Sequence, residues 1–443
     1  MPHTAIHTAA WLISPHAPPL AGGALVVRDG LIVAAGSRAE VTASHSSPVI
    51  DHPGCAILPG FVNAHTHLEL THFPAWRLRN HVEYHPRHFV DWIIQLIKVK
   101  RGLTIDDMLA SAREGVRMCL ESGTTAVGEI VSTQGLTDYY GSSGVSGRLY
   151  FELLGHDKVR FRTALTQAVT AVQSIPEEAF ATGLSPHAPY TLADENLPLI
   201  SEAAKTAGLP LAIHLSESVE ETAFIFDSSG PLAEQLYPFV GWERYLTPPR
   251  RCSSTELLDR AGLLTPNTLA VHCVHVTRAD AEILKRRGVS VALCPRSNER
   301  LAVGWAPVAL LRKLGIPLAL GTDSLASNDS LSLWDELRFA LDAFPGELSP
   351  ADVLHMVTLG GAAALGIDKG HGTLEPGKCA NFQIVGNLGD GGETGKLLER
   401  VVFEGVVQDV FVQGQQYVGT YHACSDFGNK GVPDRRTGTN RGD

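Results

Sequence analysis

Apolar and polar positions alternate in blocks through most of the chain. Short apolar runs lie at 56–62, 125–130, 148–154, 182–185, 209–213, 268–271, 289–293 and 317–320, separated by stretches of helical character. Such alternation predicts βα units and a parallel sheet. Eight units fit a distorted (β/α)8 TIM barrel. Among the helices, 104–121 opens on Thr104 as a cap and carries Asp106 and Asp107 in its first turn, where free backbone amides favour carboxylates. The stretches 279–287 and 307–313 close just before glycines, as helices commonly do. The two ends of the chain read differently. Residues 23–36 form two short strands around the Asp29-Gly30 turn, 379–385 is strand-like, and 406–418 is a hairpin with Gly414 near its turn. The expected organisation is therefore an α/β barrel over 58–370, with 1–57 and 371–424 pairing into a small β-sandwich beside it. The polar, glycine-rich 425–443 is expected to be a mobile tail.

Composition narrows the function classes. The 443 residues are 44% hydrophobic and 19% charged, enough for a large core. A net charge of −11 argues against a nucleic-acid surface, which would be basic. Seven cysteines are scattered without Cys-x-x-Cys pairs and read as reduced cytosolic thiols. Met1-Pro2-His3-Thr4 lacks the basic-then-apolar pattern of a signal peptide, and no apolar run approaches the roughly 20 residues of a membrane helix. A soluble cytoplasmic protein with neither a nucleic-acid nor a membrane partner is expected.

The candidate chemistry sits where the apolar runs stop. Leu58 to Val62 leads through Asn63 and Ala64 into His65-Thr66-His67. Side chains at i and i+2 of a strand share a face, so two imidazoles project together and offer two nitrogen ligands to a metal. His-x-His alone is a weak signal, and one strand-end histidine is more commonly a satisfied structural residue. The theme recurs, however: His187 follows the fourth run, His214 the fifth, His272 the sixth and Asp323 the eighth. In a barrel all of these ends meet at one mouth, where active sites lie. Six such residues at five strand ends are hard to assign to chance.

These motifs resemble the amidohydrolase superfamily. They are Pro59-Gly60 with His65-Thr66-His67-Leu68-Glu69, His214-Leu215-Ser216-Glu217, Val271-His272-Cys273-Val274-His275, Cys294-Pro295-Arg296-Ser297-Asn298, and Gly321-Thr322-Asp323-Ser324-Leu325-Ala326-Ser327-Asn328. The resemblance spans nearly the whole chain. It points to the mononuclear branch of cytosine, adenosine-type, guanine, methylthioadenosine/adenosylhomocysteine and aminofutalosine deaminases. It implies that His65, His67, His214 and Asp323 hold one divalent metal, zinc first and iron second. Three imidazoles and a carboxylate suit either, with a position open for water. It further implies that metal-bound hydroxide attacks the amine-bearing carbon of a small heterocyclic substrate. Asp323 then serves as base and proton shuttle, Glu217 protonates the neighbouring ring nitrogen, and His272 orients the hydroxide. Dinuclear relatives place a bridging carboxylated lysine or acid at a mid-barrel strand end, where this chain has His187. The absence of Pro-Cys-x-x-Cys excludes the deaminases that edit bases within nucleic acids.

Substrate contacts are read more openly. His187 is similar to a histidine that meets polar substrate atoms, the alternative being a ring bonded to backbone. Glu69 either faces the pocket or anchors His67. The segment 71–92, rich in His, Arg and aromatic residues (Trp76, Arg77, Arg79, His81, Tyr84, His85, His88), is expected to cover the site as a long loop. With Phe89-Val90-Asp91-Trp92-Ile93 added, the pattern looks most like aminofutalosine deaminases. Deamination of related purine nucleosides, guanine or cytosine, hydrolysis of a carbon–halogen bond or cyclic amide, and a catalytically dead scaffold are the alternatives. A homodimer is expected from the family.

Overall fold

The computed structural model describes residues 4–83, 87–176, 180–388 and 394–417. The expected tail, His3, Tyr84, His85, His422 and Cys424 lie outside the described residues. Two sheets organise the chain. One is built from both ends: β1 (Thr4–Leu12), β2 (Leu20–Arg28), β3 (Leu31–Ser37) and β4 (Val49–Pro59). The other comprises β5 (Phe61–Thr66), β6 (Thr124–Val131), β7 (Ser146–Leu153), β8 (Ala181–Pro186), β9 (Leu211–Leu215), β10 (Thr268–His272), β11 (Ser290–Leu293) and β12 (Leu318–Leu320). The chain then returns to the first sheet through β13 (Phe382–Gly386), β14 (Val406–Val412) and β15 (Gln415–Gln416).

The terminal sheet has the order β15-β14-β13-β4-β1-β2-β3. The two ends therefore pair directly, β13 running antiparallel to β4. The eight-stranded sheet is parallel, with its strands in sequential order from β5 to β12. First and last strands meet at Thr66 and Asp323, where the amide of Asp323 donates to the carbonyl of His65 at 3.0 Å. This nearly closed ring, flanked by helices, is the expected α/β barrel.

One strand differs from expectation. The apolar run 56–62 is not a single barrel strand: β4 ends at Pro59 and β5 begins at Phe61. The chain changes sheet at Gly60, packed so tightly on Thr125 that a Cβ would meet its hydroxyl at 2.2 Å. Both halves are buried, so hydrophobicity runs unbroken across the crossing.

The helices follow their caps. Ile105–Glu121 is capped reciprocally by Thr104 and Asp107, and Arg278–Arg287 ends on Gly288 at φ 71°. Inside the barrel, Val62, Ala126, Ile130, Ala212, Leu269, Val271 and Ala319 pack together, while neighbours such as Val127, Ile213, Ala270 and Leu320 pack outward under the helices. This period of two aims β9 and β12 at the mouth: Ala212 leads to His214, and Ala319 leads to Asp323. All six described cysteines are free. No helix among the described residues is long and apolar enough to cross a membrane.

Candidate active site

His65, His67, His214 and Asp323 meet at the barrel mouth. His65 Nε2 and His67 Nε2 each lie 3.7 Å from Asp323 Oδ1, and His67 Nε2 lies 3.4 Å from His214 Nε2. Donors about 2.1 Å from a tetrahedral cation sit about 3.4 Å apart, so these spacings fit one small divalent ion. The protons are arranged to suit it. His214 Nδ1 donates to the carbonyl of His187 at 2.7 Å, which leaves Nε2 bare. Asp323 Oδ2 accepts from the hydroxyls of Ser297 and Ser327, both at 2.7 Å, which leaves Oδ1 facing the histidines. Both ring nitrogens of His65 are buried without a hydrogen-bond partner. An orphaned buried imidazole is costly, and a metal is the partner that chemistry suggests.

Burial, reinforced by neighbouring imidazoles, pushes His67 and His214 well below the ordinary histidine range. They are therefore neutral, the form that ligates. Burial pushes the other way on Asp323, but the surrounding histidines outweigh it and hold the carboxyl well below its usual range.

Glu217 and His272 stand beside this cluster. Burial first, then the charges of Asp323, Glu221 and Glu220, raise Glu217 well above the usual carboxylate range, so it holds its proton. Its Oε1 lies 3.6 Å from His272 Nε2. Burial brings His272 down to about 4. Its Nδ1 lies 3.0 Å from Asn298 Oδ1, an acceptor, which puts the ring proton there and leaves Nε2 free.

How His272 enters the site is local. Leu269 and Val271 face the barrel interior, so strict alternation would send His272 outward and Cys273 inward. Left-handed φ values of 70° and 50° at these two residues exchange the directions, and Cys273 packs outside. Ser216 and Asp323 also adopt positive φ, at 51° and 58°. Such backbone costs about 1–3 kcal/mol per residue and collects at functional sites.

Several site residues escape sequence reasoning. Three fully buried carboxylates clamp the loops that carry the chemistry. Glu129 on β6 accepts from Thr66 Oγ1 at 2.5 Å, the Leu68 amide at 2.9 Å and Tyr140 at 2.6 Å, bracketing His67. Glu221 accepts from the amides of Ser216 and Glu217 at 2.9 and 3.0 Å and from Ser254 at 2.5 Å. Glu336 accepts from the Arg296 amide at 2.9 Å and Asn328 at 3.1 Å. Burial raises all three, Glu129 and Glu336 to about 8. Asn63 pairs with Thr322, joining β5 to the loop after β12. For Asn63 a signal exists: it precedes His65 and His67 at the same spacing of two.

Above the histidine and aspartate floor opens a cavity of about 550 Å³. His187 lines it, its ring fixed by Thr191 Oγ1 at 3.1 Å and its backbone carbonyl holding His214. Glu69 is not on the lining. It is buried against Lys100 Nζ at 3.0 Å and the hydroxyl of Ser132, so its hydrogen bonds anchor the β6 end and Lys100. Lys100 lines the cavity instead. The segment 71–92 is not one long loop: it holds the helix Phe73–Arg79 and the start of a second, Phe89–Lys100. That second helix supplies the outer wall through Trp92, Ile93, Leu96 and Ile97.

Comparison with known proteins agrees with this geometry. Residues 56–417 match the model of the amidohydrolase family. The chain is 32% identical to the 5-methylthioadenosine/S-adenosylhomocysteine deaminase of Desulforudis audaxviator, over 83% of this chain and 82% of that one. It is 30% identical to the aminodeoxyfutalosine deaminase of Deinococcus radiodurans, over 78% and 81%. Among solved structures it superposes on an adenosine deaminase from Xanthomonas campestris with bound zinc, at a TM-score of 0.75 and 25% identity, covering 93% and 92%. The chain belongs to the amidohydrolase family.

Proposed function

We propose that the protein is a metal-dependent hydrolytic deaminase of a purine nucleoside or closely related amino-heterocycle, with aminodeoxyfutalosine the leading candidate. The observation that carries this reading is a buried Glu217, its carboxyl pushed up by that burial, 3.6 Å from His272 and beside Asp323 on one cavity floor. An acid poised next to a base in this way suits simultaneous delivery and removal of protons. Relatives named as deaminases of adenine nucleosides support the substrate class.

The reaction exchanges an amine for an oxo group: water adds to the amine-bearing ring carbon and ammonia leaves. His65, His67, His214 and Asp323 would hold a divalent cation, zinc before iron, which would supply the Lewis acidity that makes water acidic near neutral pH. Glu217 donates its proton to the ring nitrogen adjacent to that carbon, making the carbon electrophilic. Asp323 takes the proton of the attacking water and returns it to the departing amine. The bare Nε2 of His272 accepts a hydrogen bond from the attacking oxygen's O–H and fixes its direction. The bonds from Ser297 and Ser327 keep Asp323 from swinging away between these steps.

The test combines metal analysis with an ammonia assay on one sample. The panel is adenosine, 5′-methylthioadenosine, S-adenosylhomocysteine, aminodeoxyfutalosine, guanine and cytosine. One metal per chain and equimolar ammonia and oxo product are expected with a 6-aminopurine nucleoside. No ammonia from any member, two metals per chain, or turnover that survives metal removal would overturn the reading.

A further inference from the structure

Between the metal-facing floor and the apolar outer wall the cavity presents a carboxylate that this mechanism does not use. Glu152 closes the polar end of β7 and lines the cavity. Among the described residues nothing donates a hydrogen bond to it. The polar groups nearby direct their hydrogen bonds elsewhere, although the Lys100 ammonium is close enough to feel the charge of Glu152. Lys100 gives hydrogen bonds to Glu69 and Ser132, Arg101 lies over the Phe239 ring at 4.8 Å, and Thr191 bonds to His187. A carboxylate is acceptor-only, so Glu152 has room for donors from a ligand.

Its position relative to the chemistry follows from the strand ladder. Glu217 lies just beyond β9 and His187 just beyond β8. The His214 amide donates to the His187 carbonyl, and the His187 amide donates to Leu153, the residue after Glu152, both at 3.0 Å. Glu152 itself registers with Ser185 on β8. Moving along the mouth from β9 to β8 to β7 thus leads from Glu217, past His187, to Glu152. A substrate whose ring nitrogen meets Glu217 extends in that direction. The electrostatics are consistent: burial would lower the Lys100 ammonium, yet Glu69 and Glu152 together raise it.

We propose that Glu152 is a specificity-determining residue that accepts the two hydroxyls of a cis-diol, the pentose of a nucleoside, one ring beyond the heterocycle. This rests on the nucleoside reading above and deepens it. Two hydroxyl donors match two carboxylate oxygens. A substrate lacking them leaves a half-buried charged acceptor unpaired, which is how a polar site rejects a deoxy analogue strongly.

The experiment compares the best substrate of the panel with its 2′,3′-dideoxy counterpart, in the parent and in Glu152→Gln and Glu152→Ala. The parent should favour the ribonucleoside by about 100-fold in kcat/KM. Both variants should lower kcat/KM for the ribonucleoside, mostly through KM. Both should leave the dideoxy compound within about threefold of the parent. Metal content and circular dichroism should be unchanged, since the side chain faces the cavity. Full discrimination retained by both variants would overturn the assignment while leaving the deaminase reading intact. So would a loss confined to substrates with an amine-bearing 5′ tail, which would place Glu152 opposite that tail. A parent that turns over no nucleoside would overturn both.

Discussion

At the floor of the cavity the side chains of the proposed reaction are oriented by further hydrogen bonds, whereas the outer wall is shaped chiefly by packing. Asp323 is gripped by two serines, His214 by a carbonyl and His272 by Asn298, while the loop bearing Glu217 hangs from Glu221. Across the cavity, Ile93, Leu96, Ile97, Leu236 and Val240 present aliphatic surface. Trp92 is tied as well, its Nε1 donating to the Ala326 carbonyl at 2.9 Å. The difference separates two tasks. Proton transfer needs atoms fixed to fractions of an ångström, so each is held by more than its own backbone. Recognition of an apolar substituent needs area and shape, which tolerate change. Substitutions should therefore have steep, kcat-centred effects at the floor and shallow, KM-centred ones at the wall.

The steepest effect is expected at His214. His214→Ala removes one of the four donor atoms of the proposed cation site. Metal content should fall to background, and turnover should fall with it by at least about 10⁴-fold. A variant that retains a full equivalent of metal would remove His214 from the ligand set.

Next comes Glu217→Gln, which keeps shape but cannot deliver a proton. Metal should stay bound while kcat drops about 10²- to 10⁴-fold. The pH profile sharpens this. In the proposed mechanism Glu217 acts in its acid form, and its raised pKa keeps that form present above the ordinary carboxylate range. Parent kcat should therefore hold at lower pH and fall as pH rises through the shifted value. The residual activity of the Gln variant should lack that alkaline limb. An identical limb in both would assign the titration to another group.

Why the floor is more legible in the sequence than its supports follows from the same contrast. His65, His187, His214 and Asp323 each interrupt or end an apolar run, and it is their recurrence at successive strand ends that marks them. Glu152 carries that same signal within 148–154, and its neighbours there are apolar. Glu129 carries it too, within 125–130, but the other two clamping carboxylates do not stand out in this way. Glu221 shares an acidic stretch with Glu217 and Glu220, and no periodicity tells which of them turns inward. Glu336 lies on the helix Leu333–Ala343, where an inward polar residue is masked by the polar face. The backbone turns at Ser216, His272 and Asp323 are nearly as silent: His and Asp tolerate positive φ better than most residues, but too rarely for one such residue to announce it. The crossing at Gly60 is hidden for the opposite reason: both sheets bury their strands, so the apolar run looks continuous.

A smaller loss should follow at a support. Glu221→Gln turns one acceptor oxygen into an NH2 group facing the donors of Ser216, Glu217 or Ser254. Losing a charge-assisted bond of this kind is worth about 1.5–3 kcal/mol. If that loss falls on the placement of Glu217, kcat/KM should drop about 10- to 100-fold with metal retained. An unchanged kcat/KM with a lowered melting temperature would mean that the clamp serves folding alone.

The wall should respond least. Trp92→Phe keeps an aromatic ring on the cavity but deletes the bond to Ala326, the group that ties Phe89–Lys100 to the loop after Asp323. A neutral hydrogen bond contributes about 0.5–1.5 kcal/mol net. KM should therefore rise only a few-fold, with kcat within about twofold of the parent, because Asp323 keeps its own two serine bonds. Separate kcat and KM values decide the matter. A fall in kcat matching that of the Glu221 variant would mean that the tie between wall and Asp323 loop transmits position to the reacting atoms, and that floor and wall form one mechanical unit.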